Sequence, residues 1–282
     1  MRWPPPSGWP MAEHSRRVTL PPHRWHVQEA GRGPTILLLH GSGGATQSWR
    51  GVFPLLARDF HTIAVDLPGQ GFTQTTDARR SGLPQTAADL AALCEAEGWH
   101  PDLIVGHSAG AAIALRMALD GPTPSRGVIG LNAALQDFDG VAGWLFPVMA
   151  RALAAAPFTA PVFAATTTEG RVRRLLEGTG STIGPEGQRL YLALASDSDH
   201  VQGTLDQMAH WSLETLSRDF ARMPVPVLLL IGERDTAVPP SVSVKAGQRM
   251  PQAETRSLGS LGHLAHEEDP QRVADLIRAW LD

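Results

Sequence analysis

A single cysteine in 282 residues leaves no material for an internal disulfide framework. Cys94 lies in Ala91-Ala92-Leu93-Cys94-Glu95, a helical setting without the neighbours that activate a thiol, so it reads as packing in a reducing compartment. Excess charge is scarce as well: a formal net charge of −4 gives no electrostatic case for nucleic acid as a partner. Met1-Arg2-Trp3-Pro4-Pro5-Pro6 contains no apolar h-region, so no secretory signal is expected. No apolar run reaches spanning length unbroken. Residues 141–165 come nearest, but Arg151 interrupts them and Pro147, Pro157 and Pro161 would break a long helix. That stretch reads as short apolar helices covering something, and no transmembrane segment is expected. The histidines lack a spacing such as His-x-x-x-His and no Cys or acidic cluster joins them, so no metal and no cofactor are expected.

What is present suits one large α/β domain. Hydrophobic residues make up 43% and charged residues 18%, enough for a sizeable core. Residues 1–14, rich in Pro and Trp, read as an irregular surface extension. Residues 17–20 and 24–28 flank Pro21-Pro22 and read as a hairpin of two edge strands, where a missing N–H costs nothing. Thr35-Ile36-Leu37-Leu38-Leu39 is an unbroken apolar run of strand length, which fits a strand buried on both faces of a parallel sheet. A helix over 49–57, a strand over 62–67, a helix over 84–97, a strand into Ser108 with its helix, and a strand over 127–132 follow. Strand–helix alternation of this kind predicts a mostly parallel, doubly wound sheet with helices on both faces. It stops near Ala133, gives way to an Ala-rich helical stretch, and resumes at Val225. The expected organisation is a core of residues 1–132 and 224–282 with a helical cap inserted at 133–223.

Chemistry concentrates at Gly106-His107-Ser108-Ala109-Gly110. An apolar strand ends in Gly-x-Ser-x-Gly and a helix follows at once, the order that lifts a serine hydroxyl above a sheet on a strained turn. Serine is a poor nucleophile unless a base lies within hydrogen-bond reach and a carboxylate orients that base. In open parallel sheets such groups gather after strand carboxyl ends. Asp235 follows the strand ending at Ile231, and His263 follows the last strand; Ser108, Asp235 and His263 are the candidate catalytic residues. Asp137, Asp139 and Glu233 compete for the acid position, while His107 and His266 read as structural. An oxyanion hole needs two N–H donors. Ala109 is one candidate; Ser42, with Gly43 as the alternative, is the other, in the flexible His40-Gly41-Ser42-Gly43-Gly44 loop. That loop lacks the Lys-Ser/Thr ending of a phosphate-binding P-loop.

His40-Gly41, Asp66-Leu67-Pro68-Gly69-Gln70-Gly71, the serine turn, Gly232-Glu233-Arg234-Asp235 and Gly262-His263 together resemble the α/β-hydrolase fold superfamily over about residues 30–282. The resemblance implies the α/β-hydrolase fold with its inserted cap, and leaves the substrate open. Gln70 departs from the histidine many relatives carry there. Residues 24–28, 105–121 and 129–135, with the cap segments Thr179-Gly180-Ser181 and His200-Val201-Gln202-Gly203, are similar to the magnesium-chelatase accessory proteins of bacteriochlorophyll biosynthesis. That likeness implies a role near magnesium insertion into protoporphyrin IX, with magnesium chelatase subunits as partners. It also implies a cytoplasmic location, peripheral to the photosynthetic membrane. Three readings stay open: a serine hydrolase of ester or acyl bonds accessory to that step, a non-catalytic tetrapyrrole-binding chaperone, or a generic carboxylesterase or perhydrolase. Trp144, Phe146, Phe158 and Phe163 are the cap aromatics expected to face a ligand, and Arg171 and Arg174 the cations expected to meet carboxylates.

Overall fold

The computed structural model describes residues 1–121, 126–136, 153–156 and 158–281. Among the described residues nine strands form one sheet: β1 Ser15–Leu20, β2 His23–Ala30, β3 Thr35–Leu39, β4 His61–Val65, β5 Gln74–Thr75, β6 Leu103–His107, β7 Gly127–Leu131, β8 Val227–Ile231 and β9 Ala253–Ser257. Their order is β1-β2-β4-β3-β6-β7-β8-β9, with β5 paired to β2. β1, β2 and β4 pair antiparallel, and every step from β4 to β9 is parallel. This is an α/β-hydrolase architecture, a mostly parallel sheet with helices on both faces.

Alternation along each strand builds two cores. Leu37 and Leu39 of β3 join Ile63 and Val65 of β4 on one face, with α2 (Leu83–Glu97) and α3 (Ala109–Asp120) packed there. Ile36 and Leu38 point to the other face, against Phe53 and Leu56 of α1 (Phe53–Leu56) and the apolar stripe of the last helix (Pro270–Leu281). Full burial of each such Leu or Ile contributes about 1.5–3 kcal/mol, which is why the central strands carry no polar face. Between β7 and β8 the chain forms α4 Thr159–Thr166, α5 Glu169–Glu177, α6 Pro185–Ala195, α7 Ser198–His210 and α8 Glu214–Asp219. α9 Pro240–Gly247, α10 Ala265–Glu268 and α11 Pro270–Leu281 complete the core.

Three local expectations need correction. The hairpin is present, but only β1 is an edge; β2 is paired on both sides, by β1 and by β4 and β5. The single helix expected over 49–57 is split into a 3-10 turn, Thr46–Trp49, and α1. Gly51 packs against the Pro270 ring at the break, and Pro54 can only open a new helix. The amino-terminal extension is more than surface chain, because Trp9 is buried edge-on against Phe72 with ring centres 5.0 Å apart. Cys94 is buried and its thiol is pushed up to about 12 by burial, the state of an unreactive packing residue. Among the described residues no helix is long and apolar enough to cross a membrane.

Several buried ionisable groups hold the loops after the strands. Asp66, fully buried after β4, accepts the Thr46 N–H at 2.6 Å, the Phe72 N–H at 2.8 Å and the His26 Nδ1 proton at 2.6 Å. Burial pushes its carboxyl up, but the His26 imidazole and these donors win and hold it at about 2. His40, between Leu67 N–H and the Gly41 carbonyl, is held below the usual histidine range by burial. Burial also brings His200 down to about 4, and burial together with the nearby Arg50 brings His266 to about 3. The unfolded chain therefore takes up protons below about pH 6.5, and again near the ordinary Asp value, that the folded chain refuses. Stability is expected to be full above pH 6.5 and to fall steadily as pH drops from there through about 4. Urea unfolding at pH 7.5, 6 and 5 measures this, and His266→Phe should flatten the loss; equal stability at pH 7.5 and 5 would contradict the account.

Candidate active site

β6 delivers Ser108 at its carboxyl end and α3 begins at the next residue. The serine sits at φ 52°, ψ −115°, a conformation that non-glycine residues avoid. Its flanking glycines make the turn possible. A Cβ on Gly106 would lie 2.3 Å from the Gly110 carbonyl, and one on Gly110 would lie 2.3 Å from the Leu39 carbonyl oxygen. Strand, helix and the end of β3 therefore meet backbone to backbone beneath the hydroxyl.

Asp235 and His263 come together across 28 residues of sequence, with Asp235 Oδ2 2.7 Å from His263 Nδ1. Asp235 Oδ1 accepts the N–H groups of Ala237 and Val238 at 2.9 and 2.8 Å. With Oδ1 so occupied, Oδ2 is the oxygen that meets His263 Nδ1, which leaves Nε2 as the ring nitrogen free to face the cavity. His263 and Ser108 line one cavity of about 540 Å³, in the range that encloses a drug-sized molecule. Among the described residues Ser108 Oγ makes no hydrogen bond; such contacts often tighten only when substrate binds. Glu233, the neighbouring candidate, is turned to the Ser257 hydroxyl instead. Asp137 and Asp139 lie outside the described residues.

Ser42, Gly41, Gly43 and Gly44 line the same cavity. The Gly43 N–H is donated to Gln70 Oε1 at 2.8 Å, so of the two candidate loop donors Gly43 is already engaged. Ala109 opens α3, where the first N–H groups have no acceptor within the helix. Gln70, the departure from the usual histidine, thus holds the glycine loop, and its amide donates on to Gln207 of α7 at 3.0 Å.

Asn132 was not singled out by its sequence, yet its side chain ties the Asp235 loop to the His263 loop. Its Oδ1 accepts the Gly232 N–H at 2.7 Å, and its Nδ2 donates to the Gly262 and His263 carbonyls at 2.9 and 2.8 Å. His107, read as structural, donates Nε2–H to the same His263 carbonyl at 2.9 Å. The His107 ring stands 4.7 Å from His263 and 4.5 Å from His266, and burial followed by these two rings depresses its basicity far below the usual range. Position was the only available signal for Asn132: it closes β7 at the edge where Ser108 and Asp235 close theirs. The inserted helices hold the site from above. Thr179 O accepts the His263 and Thr236 N–H groups at 3.3 Å, and Ser181 Oγ accepts the Leu264 N–H at 2.8 Å. A Cβ on Gly180 would lie 1.8 Å from the Arg234 carbonyl oxygen, so the segment is wedged between the acid loop and the histidine loop. On the other side His200 accepts the Gly71 N–H at 2.9 Å through Nδ1, and its Nε2 lies 3.2 Å from the Gly43 carbonyl.

Much of the cavity wall is apolar, with Val172, Leu175 and Leu176 of α5, Leu205 and Met208 of α7, and Leu264; Ser48, Thr179, Tyr191 and Thr204 add hydroxyl groups. Phe163 reaches it from α4. Phe158 does not; it precedes the first turn of α4 at φ 75° and is 73% exposed. Arg171 and Arg174 line a separate cavity of about 340 Å³ with Phe163, Thr167 and Leu175, not the one that holds Ser108. Trp144 and Phe146 lie outside the described residues.

Asn132→Ala would strand the buried Gly232 N–H and Gly262 carbonyl without partners. It should cost about 2 kcal/mol of stability and speed hydrogen exchange at the Gly262, His263 and Leu264 amides. Denaturant unfolding with exchange mass spectrometry checks this; unchanged exchange in that loop would contradict the clamp.

The arrangement has known counterparts. Residues 34–270 match the model of the alpha/beta hydrolase fold family. The magnesium-chelatase 30 kDa subunit of Rhodobacter capsulatus is 42% identical over 280 residues, covering 98% of each chain. Among solved structures, the epoxide hydrolase CorEH superposes with a TM-score of 0.78 at 21% identity, covering 95% of this chain and 98% of its own. An alpha/beta hydrolase fold protein from Burkholderia ambifaria gives 0.75 at 19% identity, covering 93% and 96%. Likeness at that identity speaks for the fold alone, and the sheet, the serine turn and the family match agree: this chain belongs to the α/β-hydrolase fold family.

Proposed function

We propose that the chain is a serine hydrolase of ester or acyl bonds that serves magnesium insertion into protoporphyrin IX during bacteriochlorophyll biosynthesis. The observation that carries the chemistry is the 2.7 Å Asp235–His263 pair, in which the other oxygen of the carboxylate accepts two backbone N–H groups, set in one cavity with Ser108. The biological setting rests on the relative named as a magnesium-chelatase subunit, whose similarity runs the length of both chains. In this reading Ser108 Oγ attacks the acyl carbon and its proton passes to His263 Nε2. Asp235 holds the imidazole tautomer and stabilises the imidazolium. The N–H groups of Ser42 and Ala109 receive the oxyanion, a contribution worth roughly 10²–10³ in rate per donor in comparable sites. His263 then protonates the leaving alcohol, and water repeats the sequence to release the acid. Chelatase subunits are the partners this setting calls for, in the cytoplasm at the photosynthetic membrane.

A second reading follows from the cavity wall, which offers a ligand apolar contact and, among the described residues, carries no charged side chain beyond the histidines. Such a pocket suits a tetrapyrrole-binding chaperone that keeps the triad without using it. Two measurements separate these. A fluorophosphonate probe should label the wild-type protein once and leave Ser108→Ala unlabelled, with hydrolysis of p-nitrophenyl esters reduced by at least about 10³-fold in the variant. In a strain lacking this gene, Ser108→Ala should fail to restore pigment; full restoration assigns the role to binding and removes catalysis from it.

A further inference from the structure

α5 presents two faces to two cavities. Val172 and Leu176 are buried toward the inner, Ser108-containing cavity, while Arg171 and Arg174 line the outer one. Phe163 and Leu175 line both, so the two spaces share a wall. The two arginines stand three residues apart, one turn along the same helix face, where like charges repel. Among the described residues neither meets a carboxylate. Arg171 Nη1 donates to the Thr166 carbonyl at 3.0 Å and to its hydroxyl at 3.2 Å, contacts that aim the guanidinium without neutralising it. Arg173, between them in sequence, instead pairs with Glu177 at 3.8 Å. The inner cavity has the opposite character. A carboxylate against Val172, Leu176, Leu205 and Met208 would be desolvated, with no Lys or Arg among the described lining residues to meet it, an expensive placement. Among the described residues, the arginines beyond Phe163 and Leu175 offer an anionic group on a ligand of the inner cavity a favourable position.

We propose that the outer cavity is the anion subsite of the Ser108 pocket, and that the substrate is an amphiphilic ester whose apolar body lies along α5 and whose carboxylate is held by Arg171 and Arg174. This rests on the reading of Ser108 as a nucleophile. Hydrolysis adds water across the ester C–O bond at Ser108 and gives an acid and an alcohol; the distal carboxylate takes no part in bond making and serves to bind. Arginine suits the task because its planar fork can grip a carboxylate through two parallel bonds.

The test uses two p-nitrophenyl esters of equal chain length, the monoester of an eight- to ten-carbon dicarboxylic acid and the ester of the matching simple fatty acid. Wild-type protein should show a lower KM for the carboxylate-bearing ester, and added salt should erode that preference. In the double variant R171Q/R174Q the KM for the carboxylate-bearing ester should rise roughly tenfold with kcat unchanged, the fatty-acid ester should be turned over as by wild type, and R171K/R174K should recover part of the loss. The fatty-acid ester doubles as the control for folding. Equal KM values for the two esters in wild type, or equal changes for both in R171Q/R174Q, would overturn the subsite and leave the hydrolase reading standing. Failure of wild type to hydrolyse either ester, with no fluorophosphonate labelling, would remove the hydrolase reading and the subsite with it.

Discussion

Ser108 is held at φ 52°, ψ −115°, and the carboxyl edge of the sheet is built to keep it there. A residue with a Cβ leaves that conformation unless its surroundings over-determine it, at a cost of order 1–3 kcal/mol. Here the Ser108 N–H is taken by Leu131 O at 2.9 Å and its carbonyl accepts the N–H groups of Ala111 and Ala134. Beneath it, Gly106 and Gly110 let β6, α3 and the end of β3 close to backbone contact. The neighbouring strands are fully buried, so the frame that carries the strain cannot relax without opening the core.

From that turn the constraint spreads outward through side chains that touch backbone. Asn132 joins the strand beside Ser108 to the loops of Asp235 and His263 in one clamp. Thr179 and Ser181 then pin the histidine loop from the inserted helices, and His200, with Gln207 through Gln70, pins the glycine loop from the opposite side. The inserted segment is thereby part of the site's rigidity as well as the wall of its cavity. Catalytic hydrogen bonds tolerate little displacement, so positioning of this kind is where a site gains its rate. Thr179, Ser181 and His200 lie in the two inserted stretches that support the narrower family resemblance in the sequence; Gln207 lies just beyond them.

Much of this was legible in the sequence because it is local. β3, β4, β6, β7 and β8 announce themselves as short apolar runs, since a parallel sheet covered on both faces admits no polar alternation. Asp235 and His263 were visible because each follows a strand, and the structure brings that pair to 2.7 Å. What escaped was what depends on distant partners. Nothing local says that Asn132 will meet residues 100 and 131 positions away, or that Gln70 will take the N–H of Gly43, one of the two candidate loop donors. Arg171 and Phe163 read alike as ligand contacts, yet α5 sends the arginines to a different cavity from the one that Phe163 shares with Ser108. At the break near Gly51, Pro54 is a local signal, while the packing of Gly51 against Pro270 comes from the far end of the chain.

The account stands on Ser108 as the nucleophile with Ser42 and Ala109 as the donors that receive the developing charge. A crystal structure of the protein inactivated with diethyl p-nitrophenyl phosphate examines this most directly. The account predicts a single phosphoryl group on Ser108 Oγ, with its free oxygen within 2.7–3.1 Å of the Ser42 and Ala109 N–H groups and His263 Nε2 turned toward the adduct. An unmodified Ser108, or an adduct whose oxygen meets neither N–H, would contradict it.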